Sequence, residues 1–383
     1  MARNEIKKER QNKFFYVLCN IPNTLLTGLF MLNYVEFFFD DLQLDDRLWS
    51  IVLTIFAVVN ALNDPALAFM SDMTDRKKWG SRRLIYIRWG GIIWSILFVV
   101  AWFPWSYTNQ TVMFFHALVS VCLFDSALSL VGACWYALLP EIVESVQKRI
   151  QLSYITSFTS LFAGIIVILL SNVKSSAGGL PLFQIMMIGV AIVCAILFVL
   201  VSIFCHEKAE YVNDPILPLW KGIKEVIKSK SFMIFIGYNI FQVVNASLVI
   251  PYIFLYSLIL PVDLVGFFII TAINGFVGNF IGMKLQPKWG IRKIVLIFGS
   301  ISVSLGIGFF FVSLAVQNGI ILLIGFGVIN FVSSICGGFG LILPGVISWL
   351  NGGQLPIGQI WTGVVAILAV LGIRDLPLLN QKK

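Results

Sequence analysis

Long apolar segments, separated by short polar connections, follow one another along the whole chain. Each is close to or above the roughly 20 residues that an α-helix needs to cross a bilayer. The apolar positions are continuous rather than alternating, so the pattern predicts membrane helices and not strands. We predict eleven spans, at residues 14–38, 48–71, 84–104, 112–139, 153–171, 181–205, 231–259, 262–284, 293–315, 318–346 and 356–373.

Composition supports this interpretation. Of 383 residues, 58% are hydrophobic and 12% are charged, whereas a soluble domain carries about 25% charged residues. We therefore predict an integral protein of the lipid bilayer and not an enzyme. The net charge of +8 is explained by basic loops, without nucleic-acid binding. Six cysteines without a CxxC pair and two distant histidines give no basis for disulfides or for a zinc or iron site.

The distribution of Lys and Arg predicts the orientation. With the N-terminus in the cytoplasm, the inner segments hold most of the 27 basic residues. The outer connections between spans hold only Arg47 and Lys174. This is the positive-inside pattern, and we expect the protein in the cell (plasma) membrane. Eleven spans leave the C-terminus outside, together with Arg374, so a missing twelfth span is an open alternative.

A polar linker and a short repeat predict two halves. We divide the chain into an N-terminal six-helix bundle (1–206), a cytoplasmic linker (207–230) and a C-terminal bundle (231–383) of five to six helices, with a shortened C-terminal bundle as an open alternative. The sequence Trp79-Gly80-Ser81-Arg82-Arg83 recurs as Trp289-Gly290-Ile291-Arg292-Lys293. Both copies join the second and third spans of their half. Two like-oriented halves are typical of major-facilitator carriers, so we predict an all-α, major-facilitator-like membrane protein with 11–12 transmembrane helices.

Four ionisable residues lie within predicted spans, where each carries an energetic cost. Asp64 shares one helix face with Asn60 and Asn63, because they are spaced at i, i+3 and i+4. We interpret this group as a ligand for Na⁺ or Li⁺ or as a proton acceptor, with packing between helices as the alternative. No other cofactor or metal is expected.

The other three have less specific interpretations. Asp125, in the fourth span, is either a second coupling acid or a packing acid. Arg88 either pairs with Asp64 or Asp72 or extends to the cytoplasmic surface. Glu36 lies near an outer helix end, where it can reach headgroups or water.

Charged residues of the loop after the second span could form a network that breaks and reforms during gating, or they could only set topology. Polar residues of the first and seventh spans, with one tryptophan, could line a solute cavity or join helices. The loop residues are Asp72, Asp75, Arg76, Arg82 and Arg83, and the cavity residues are Asn20, Asn23, Thr24, Thr27, Trp135, Tyr238, Asn239, Gln242 and Asn245.

Three blocks of sequence resemble the glycoside–pentoside–hexuronide:cation symporters, the melibiose-carrier branch of the major facilitator superfamily. They are Tyr34-Val35-Glu36-Phe37-Phe38-Phe39-Asp40, then Asn60-Ala61-Leu62-Asn63-Asp64-Pro65 with Ser71-Asp72 through Trp79-Gly80, and Trp135-Tyr136-Ala137-Leu138-Leu139-Pro140-Glu141. The resemblance implies two six-helix bundles, alternating access and symport driven by Na⁺, Li⁺ or H⁺. Asn63 and Asp64 match the cation site of that family, whereas Asn60 replaces its first acid. The acids and the Arg of the sugar-binding branch align with Thr24, Val131 and Ser157, so galactoside binding in that manner is not supported.

Together these features predict a monomeric secondary transporter for sugar transport, in which cation- or proton-coupled symport moves a small organic solute by alternating access. One alternative is a carrier of a lysolipid or another amphiphile. The other is a transport-inactive membrane receptor or assembly protein, which the replaced acid and the unusual C-terminal part would fit.

Overall fold

A computed structural model describes residues 2–143, 145–175 and 178–207, together with 273–290 and scattered helical residues between 224 and 335. In the first part, the chain forms α-helices joined by short turns. They are α1 (Ala2–Glu36), α2 (Asp46–Asp72), α3 (Arg76–Trp79), α4 (Leu84–Ala101), α5 (Gln110–Ile142), α6 (Val146–Ser171) and α7 (Gly179–Phe204). A π-helical turn, Phe37–Asp41, extends α1, and a 3₁₀ turn, Asn172–Ser175, follows α6.

Within the described residues, six helical segments are long and apolar enough to cross a membrane. They are Lys8–Asp41, Asp46–Asp72, Leu84–Ala101, Gln110–Leu139, Gln147–Lys174 and Gly179–Phe204. The first six predicted spans are thereby confirmed, with ends that differ by a few residues. Of the remaining five, the spans 231–259 and 356–373 lie outside the described residues, and only scattered residues of 293–315 and 318–346 are described. The helix at residues 273–290 covers the second half of the predicted span 262–284.

The chain divides into two compact units, Met1–Ile216 and Leu217–Lys383. The boundaries 206/207 and 230/231 that the sequence suggested remain predictions.

Helix starts in the N-terminal unit follow from local polar residues. The Asp45 carboxylate accepts a hydrogen bond from the Arg47 N–H at 2.8 Å and caps α2. The Asn109 side chain accepts from the N–H groups of Thr111 and Val112 at 3.0 and 3.2 Å and caps α5. These caps satisfy backbone donors that a helix leaves unpaired at its first turn, and they fix where the two spans begin.

The helices pack in pairs: α1 contacts α6 and α7, α4 contacts α5 and α7, and α2 contacts α5. Aromatic rings fill much of the core, and the Phe30 and Phe124 rings stack with their centroids 3.7 Å apart. A Cβ on Gly91 would lie 2.4 Å from the Phe198 ring. Gly91 therefore allows α4 and α7 to approach closely, as small residues do between membrane helices.

The glycine of the repeated Trp-Gly motif has nearly the same φ angle in both copies. Gly80 and Gly290 have φ angles of 74° and 75°, in the left-handed region that favours glycine. In each motif the tryptophan directly precedes this glycine. The repeat in the sequence is therefore matched by a left-handed φ angle at its glycine in both copies.

Candidate functional site

The polar group predicted on the second span lies where α2 packs against α5. With its amide nitrogen facing the acids, Asn60 donates to Asp64 Oδ2 and Oδ1 at 3.0 and 3.1 Å and to Asp125 Oδ2 at 3.1 Å. This is the orientation in which donors rather than a third acceptor face the carboxylates. Asp64 and Asp125, which are far apart in the sequence, thus share one amide.

The two acids differ in exposure. Asp125 is 8% exposed, whereas Asp64 is exposed and Asn60 is half-buried. Among the residues that the structure describes, neither acid forms an ion pair with Lys or Arg. The site therefore contains two carboxylates, one accessible and one buried, with a neutral amide between them.

Asn63 extends the polar group along α2. Its amide nitrogen donates to the Ser126 hydroxyl at 2.6 Å, and that hydroxyl donates to the Cys122 carbonyl at 2.6 Å. The Asn63 Oδ1 atom is buried without a hydrogen-bond partner. Ser126 was not among the predicted site residues, although its position directly after Asp125 was the available signal.

This arrangement of side chains favours the binding of a small cation or a proton. Two carboxylates in a membrane interior repel one another unless one is neutralised. The oxygens nearby are those of Asp64 and Asp125, the orphan amide oxygen of Asn63 and, after an amide rotation, that of Asn60. Such oxygen donors suit hard cations. Over the described ranges, no group of three or more His, Cys, Asp and Glu side chains could hold a metal ion.

Two predicted cavity residues join helices. Asn20 is 5% exposed and donates to the Thr156 carbonyl at 3.0 Å and to the Thr159 and Ser160 hydroxyls at 3.0 and 2.6 Å. It connects α1 to α6. The Trp135 indole donates to the Tyr16 carbonyl at 3.1 Å and connects α5 to α1. Both side chains are occupied by contacts between helices.

Asn23, on α1, has a different environment. Its amide nitrogen and oxygen are both buried, and neither has a hydrogen-bond partner. Thr24 and Thr27, on the same helix, are half-buried. The other predicted cavity residues, Tyr238, Asn239, Gln242 and Asn245, lie outside the described residues. Because buried polar groups normally have hydrogen-bond partners, the unsatisfied amide makes Asn23 a candidate contact for a polar ligand or water.

Several charged residues of the predicted gating loop form a network at the end of the bundle that carries the N-terminus. Arg83 donates to Asp72 Oδ1 at 2.5 Å and to the Ser71 hydroxyl at 2.8 Å. Its Nε lies 3.5 Å from Glu141 Oε1, and Arg82 lies 3.5 Å from the same Asp72 oxygen. The network joins the end of α2, the start of α4 and the end of α5.

Glu207, which follows α7, completes this network. Its carboxylate accepts hydrogen bonds from the backbone N–H groups of Arg82, Arg83 and Leu84, at 2.7 to 3.2 Å. Burial and the nearby Glu207 carboxylate raise the pKa of Glu141, and the Arg83 guanidinium offsets part of this effect. Glu141 and Glu207 were not predicted as network members. The signal for both was an acid directly after a span.

The remaining two residues of the predicted gating loop lie just before and at the start of α3. Asp75 is exposed, and Arg76 begins the short helix α3.

The Glu36 carboxylate, at the opposite end of the bundle, pairs with Lys174 at 3.1 Å. The Arg88 Nε donates to the Ser202 hydroxyl at 2.8 Å. Within the described part of the chain, Arg88 does not pair with Asp64 or Asp72.

Comparison with protein families identifies the family to which this chain belongs. The family described as MFS/sugar transport protein matches residues 15–345, and the chain belongs to this family. Curated relatives include transmembrane protein 180 of Gallus gallus, 26% identical over 38% of this chain and 30% of that protein. Another is the uncharacterized symporter sll1374 of Synechocystis sp., 27% identical over 41% of this chain and 29% of that protein. The matches thus span less than a third of these relatives.

Solved structures share the fold over nearly the whole chain. The proton:xylose symporter XylE, bound to 6-bromo-6-deoxy-D-glucose, matches with a TM-score of 0.64 and 12% identity over 97% of this chain and 96% of XylE. The E. coli fucose:proton symporter FucP matches with a TM-score of 0.60 and 13% identity over 96% of this chain and 98% of FucP. The fold is that of the major facilitator superfamily, as predicted, and the chain is an integral membrane protein.

Proposed function

We propose that this protein is a secondary transporter that couples the movement of a small polar solute, sugar- or glycoside-like, to a cation gradient by alternating access. Membership of a sugar transport family supports a carrier rather than an enzyme. The structural neighbours XylE and FucP are proton symporters. The melibiose-carrier branch, suggested by the blocks at Tyr34, Asn60 and Trp135, remains part of this proposal.

The paired acids of α2 and α5 carry the proposal. A structural acid inside a membrane normally has a basic partner. Asp64 and Asp125 share only the Asn60 amide, and no ion pair to either is found among the described residues. A proton or a monovalent cation bound here would remove the repulsion between the carboxylates. Occupancy of the site is therefore the step that we expect to be coupled to solute movement.

Asn60 favours a proton over Na⁺ as the coupling ion. The amide nitrogen directs donors at both carboxylates, and a donor in that place repels a metal cation. Na⁺ or Li⁺ would require the amide to rotate so that its oxygen faces the site. A proton needs no such change, because a carboxylic acid can donate to one neighbour while its other oxygen accepts from Asn60.

The solute is proposed to bind near the middle of α1. Asn23 offers a donor and an acceptor that no described residue satisfies, and hydroxyl groups of a sugar can use both. Thr24 and Thr27 add hydroxyls on the same helix. Asn20 and Trp135 already form hydrogen bonds between helices. We therefore propose that they stabilise the helices around the site and do not contact the solute directly.

The charged network around Arg83 is proposed to stabilise one closed state at the cytoplasmic side. Its members come from three helix ends and from the segment after α7. Relative movement of those ends would break the ion pairs, and the opposite movement would restore them. The cytoplasmic position of this network and of the N-terminus, a location in the plasma membrane and a monomeric state belong to the same proposal.

Reconstituted protein tests this function. Proteoliposomes would be given an inward proton gradient and a panel of radiolabelled pentoses, hexoses, glycosides and lysolipids. We expect accumulation of one polar solute that collapses with a protonophore and is lost in Asp64→Asn. Asp40→Asn is the matched control, because Asp40 is an exposed acid outside the site. Accumulation of lysolipids alone would replace the sugar proposal, and no accumulation of any compound would favour a transport-inactive receptor.

A further inference from the structure

A cavity of about 500 Å³ opens between α4 and α7 at the basic end of the bundle, away from the paired acids. Residues of α4 and α7 form its walls, and the start of α1, the turn before α4 and the segment after α7 complete it. The residues that matter for its chemistry are Lys8, Trp79, Arg88, Trp89, Ser202 and His206. The proposed transport mechanism uses none of them.

Arg88 is the cation of this cavity that lies on a membrane-spanning helix, one turn from its start. Its Nε donates to the Ser202 hydroxyl at 2.8 Å, which holds the guanidinium in place. Among the described residues no carboxylate pairs with it, and its terminal Nη groups have no protein acceptor. A guanidinium at membrane depth without an anionic partner is costly. An external anion in the cavity would remove this cost.

The one carboxylate of the cavity wall is already engaged. Glu207 accepts from the backbone N–H groups of Arg82, Arg83 and Leu84, so its charge is balanced by the start of α4. Lys8 is exposed and His206 is exposed beside the same opening. The balance of charge available to a ligand is therefore positive.

Apolar side chains extend from this cavity along the outer face of α4. Trp89, Ile93, Ile96 and Val100 follow one another at helical spacing and are 59%, 53%, 57% and 39% exposed. Ile192 and Ile196 form a similar exposed row on α7. Exposed apolar residues on a membrane helix contact acyl chains. Trp79 and Trp89 lie at the mouth, where indoles commonly mark the level of lipid headgroups.

We propose that this cavity is a binding site for an anionic phospholipid of the leaflet at the basic end. The phosphate would accept charge-assisted hydrogen bonds from the Arg88 Nη groups, with Lys8 adding charge at the rim. The acyl chains would lie along the apolar row that begins at Trp89. The combination of a half-buried cation that has no carboxylate partner among the described residues with a row of exposed apolar side chains distinguishes this site from one for a free phosphate ion.

Native mass spectrometry of the purified full-length protein tests the proposal. The probes are dioleoylphosphatidylglycerol, dioleoylphosphatidylcholine and inorganic phosphate. We expect one tightly bound phosphatidylglycerol, affinity about tenfold lower for Arg88→Gln, and wild-type affinity for Arg47→Gln, a charge-matched control on α2. Equal affinity of Arg88→Gln, equal binding of phosphatidylcholine, or saturation by inorganic phosphate without lipid would each overturn it.

A second variant guards against misfolding. If Arg88→Gln does not yield folded protein, Ser202→Ala retains the charge and removes only the hydroxyl that positions it. We expect Ser202→Ala to bind phosphatidylglycerol several-fold more weakly and Arg88→Lys to lie between Arg88→Gln and wild type. Unchanged binding by Ser202→Ala would contradict the proposed geometry.

Discussion

Two charged regions of the N-terminal unit differ in how their charge is balanced. Around Arg83, carboxylates from Asp72 and Glu141 face guanidinium groups, and the carboxylate of Glu207 faces backbone N–H groups. Around Asn60, two carboxylates face one neutral amide. The first region is complete in the sense that each carboxylate faces a guanidinium or backbone N–H donors, whereas the second is incomplete because its two carboxylates have no counter-charge among the described residues. We infer that the first region holds helix ends together, whereas the second binds a cation or a proton.

The largest expected effect comes from breaking the complete region. Arg83→Gln leaves Asp72 and Glu141 without their main counter-charge. Loss of one partner from a buried pair costs several kcal/mol, and since the Asp72 side chain is 44% exposed we expect the lower end, about 3 kcal/mol. Thermal melting in detergent should show a clear decrease relative to Arg47→Gln. An unchanged melting temperature would mean that the network does not stabilise this unit.

The next effect separates charge from hydrogen bonding at Glu207. Glu207→Ala removes the acceptor of three backbone N–H groups, which should cost about 2 kcal/mol. Glu207→Gln keeps one acceptor oxygen and should cost about half as much. The melting temperatures of the two variants check this order. Equal losses would show that the negative charge, rather than the accepted hydrogen bonds, is what matters.

Asn60→Asp tests the incomplete region, because it adds a third carboxylate beside Asp64 and Asp125. We expect destabilisation of about 1 kcal/mol without coupling cations. Na⁺ or Li⁺ should restore the melting temperature of the variant, whereas the wild type should respond little to either ion. Choline chloride at the same ionic strength is the control. A variant that ignores Na⁺ and Li⁺ would contradict the role assigned to Asn60.

The smallest effect is a pH dependence in the complete region. Because burial and Glu207 raise the pKa of Glu141 above 4.5, the folded protein holds this proton more tightly than the unfolded chain. The stabilisation from this group is present at low pH and is lost as pH rises through its folded-state pKa. Glu141→Gln should therefore make the melting temperature fall less steeply as the pH rises above 4.5. An unaltered slope in the variant would show that Glu141 is not the group responsible.

The sequence predicts the six described spans well, because transfer of a long apolar segment into lipid depends on local composition alone. It also reveals the Trp-Gly repeat, whose glycines, Gly80 and Gly290, have nearly the same φ angle in the structure. These features need no knowledge of which helices become neighbours.

The candidate site could not be predicted in this way, because it depends on which helices become neighbours. The contact of Asn60 with Asp125 requires α2 to pack against α5, and Glu207 reaches the start of α4 only because α4 and α7 are adjacent. The sequence does not distinguish Asn20 from Asn23, because both are amides on the same apolar helix. The structure distinguishes them, because only Asn20 finds acceptors on α6.

The most direct measurement is thermal melting across pH, Na⁺ and Li⁺ for the wild type, Asp64→Asn, Asp125→Asn and Asp40→Asn. All four would be made in a Glu141→Gln background, which removes the pH response of that acid, and the parent of this background takes the place of the wild type. The account predicts that acidification stabilises the wild type and Asp40→Asn, and that this stabilisation is lost when either paired acid is neutralised. Identical pH and cation profiles in all four proteins would make Asp64 and Asp125 structural and would contradict a coupling site between α2 and α5.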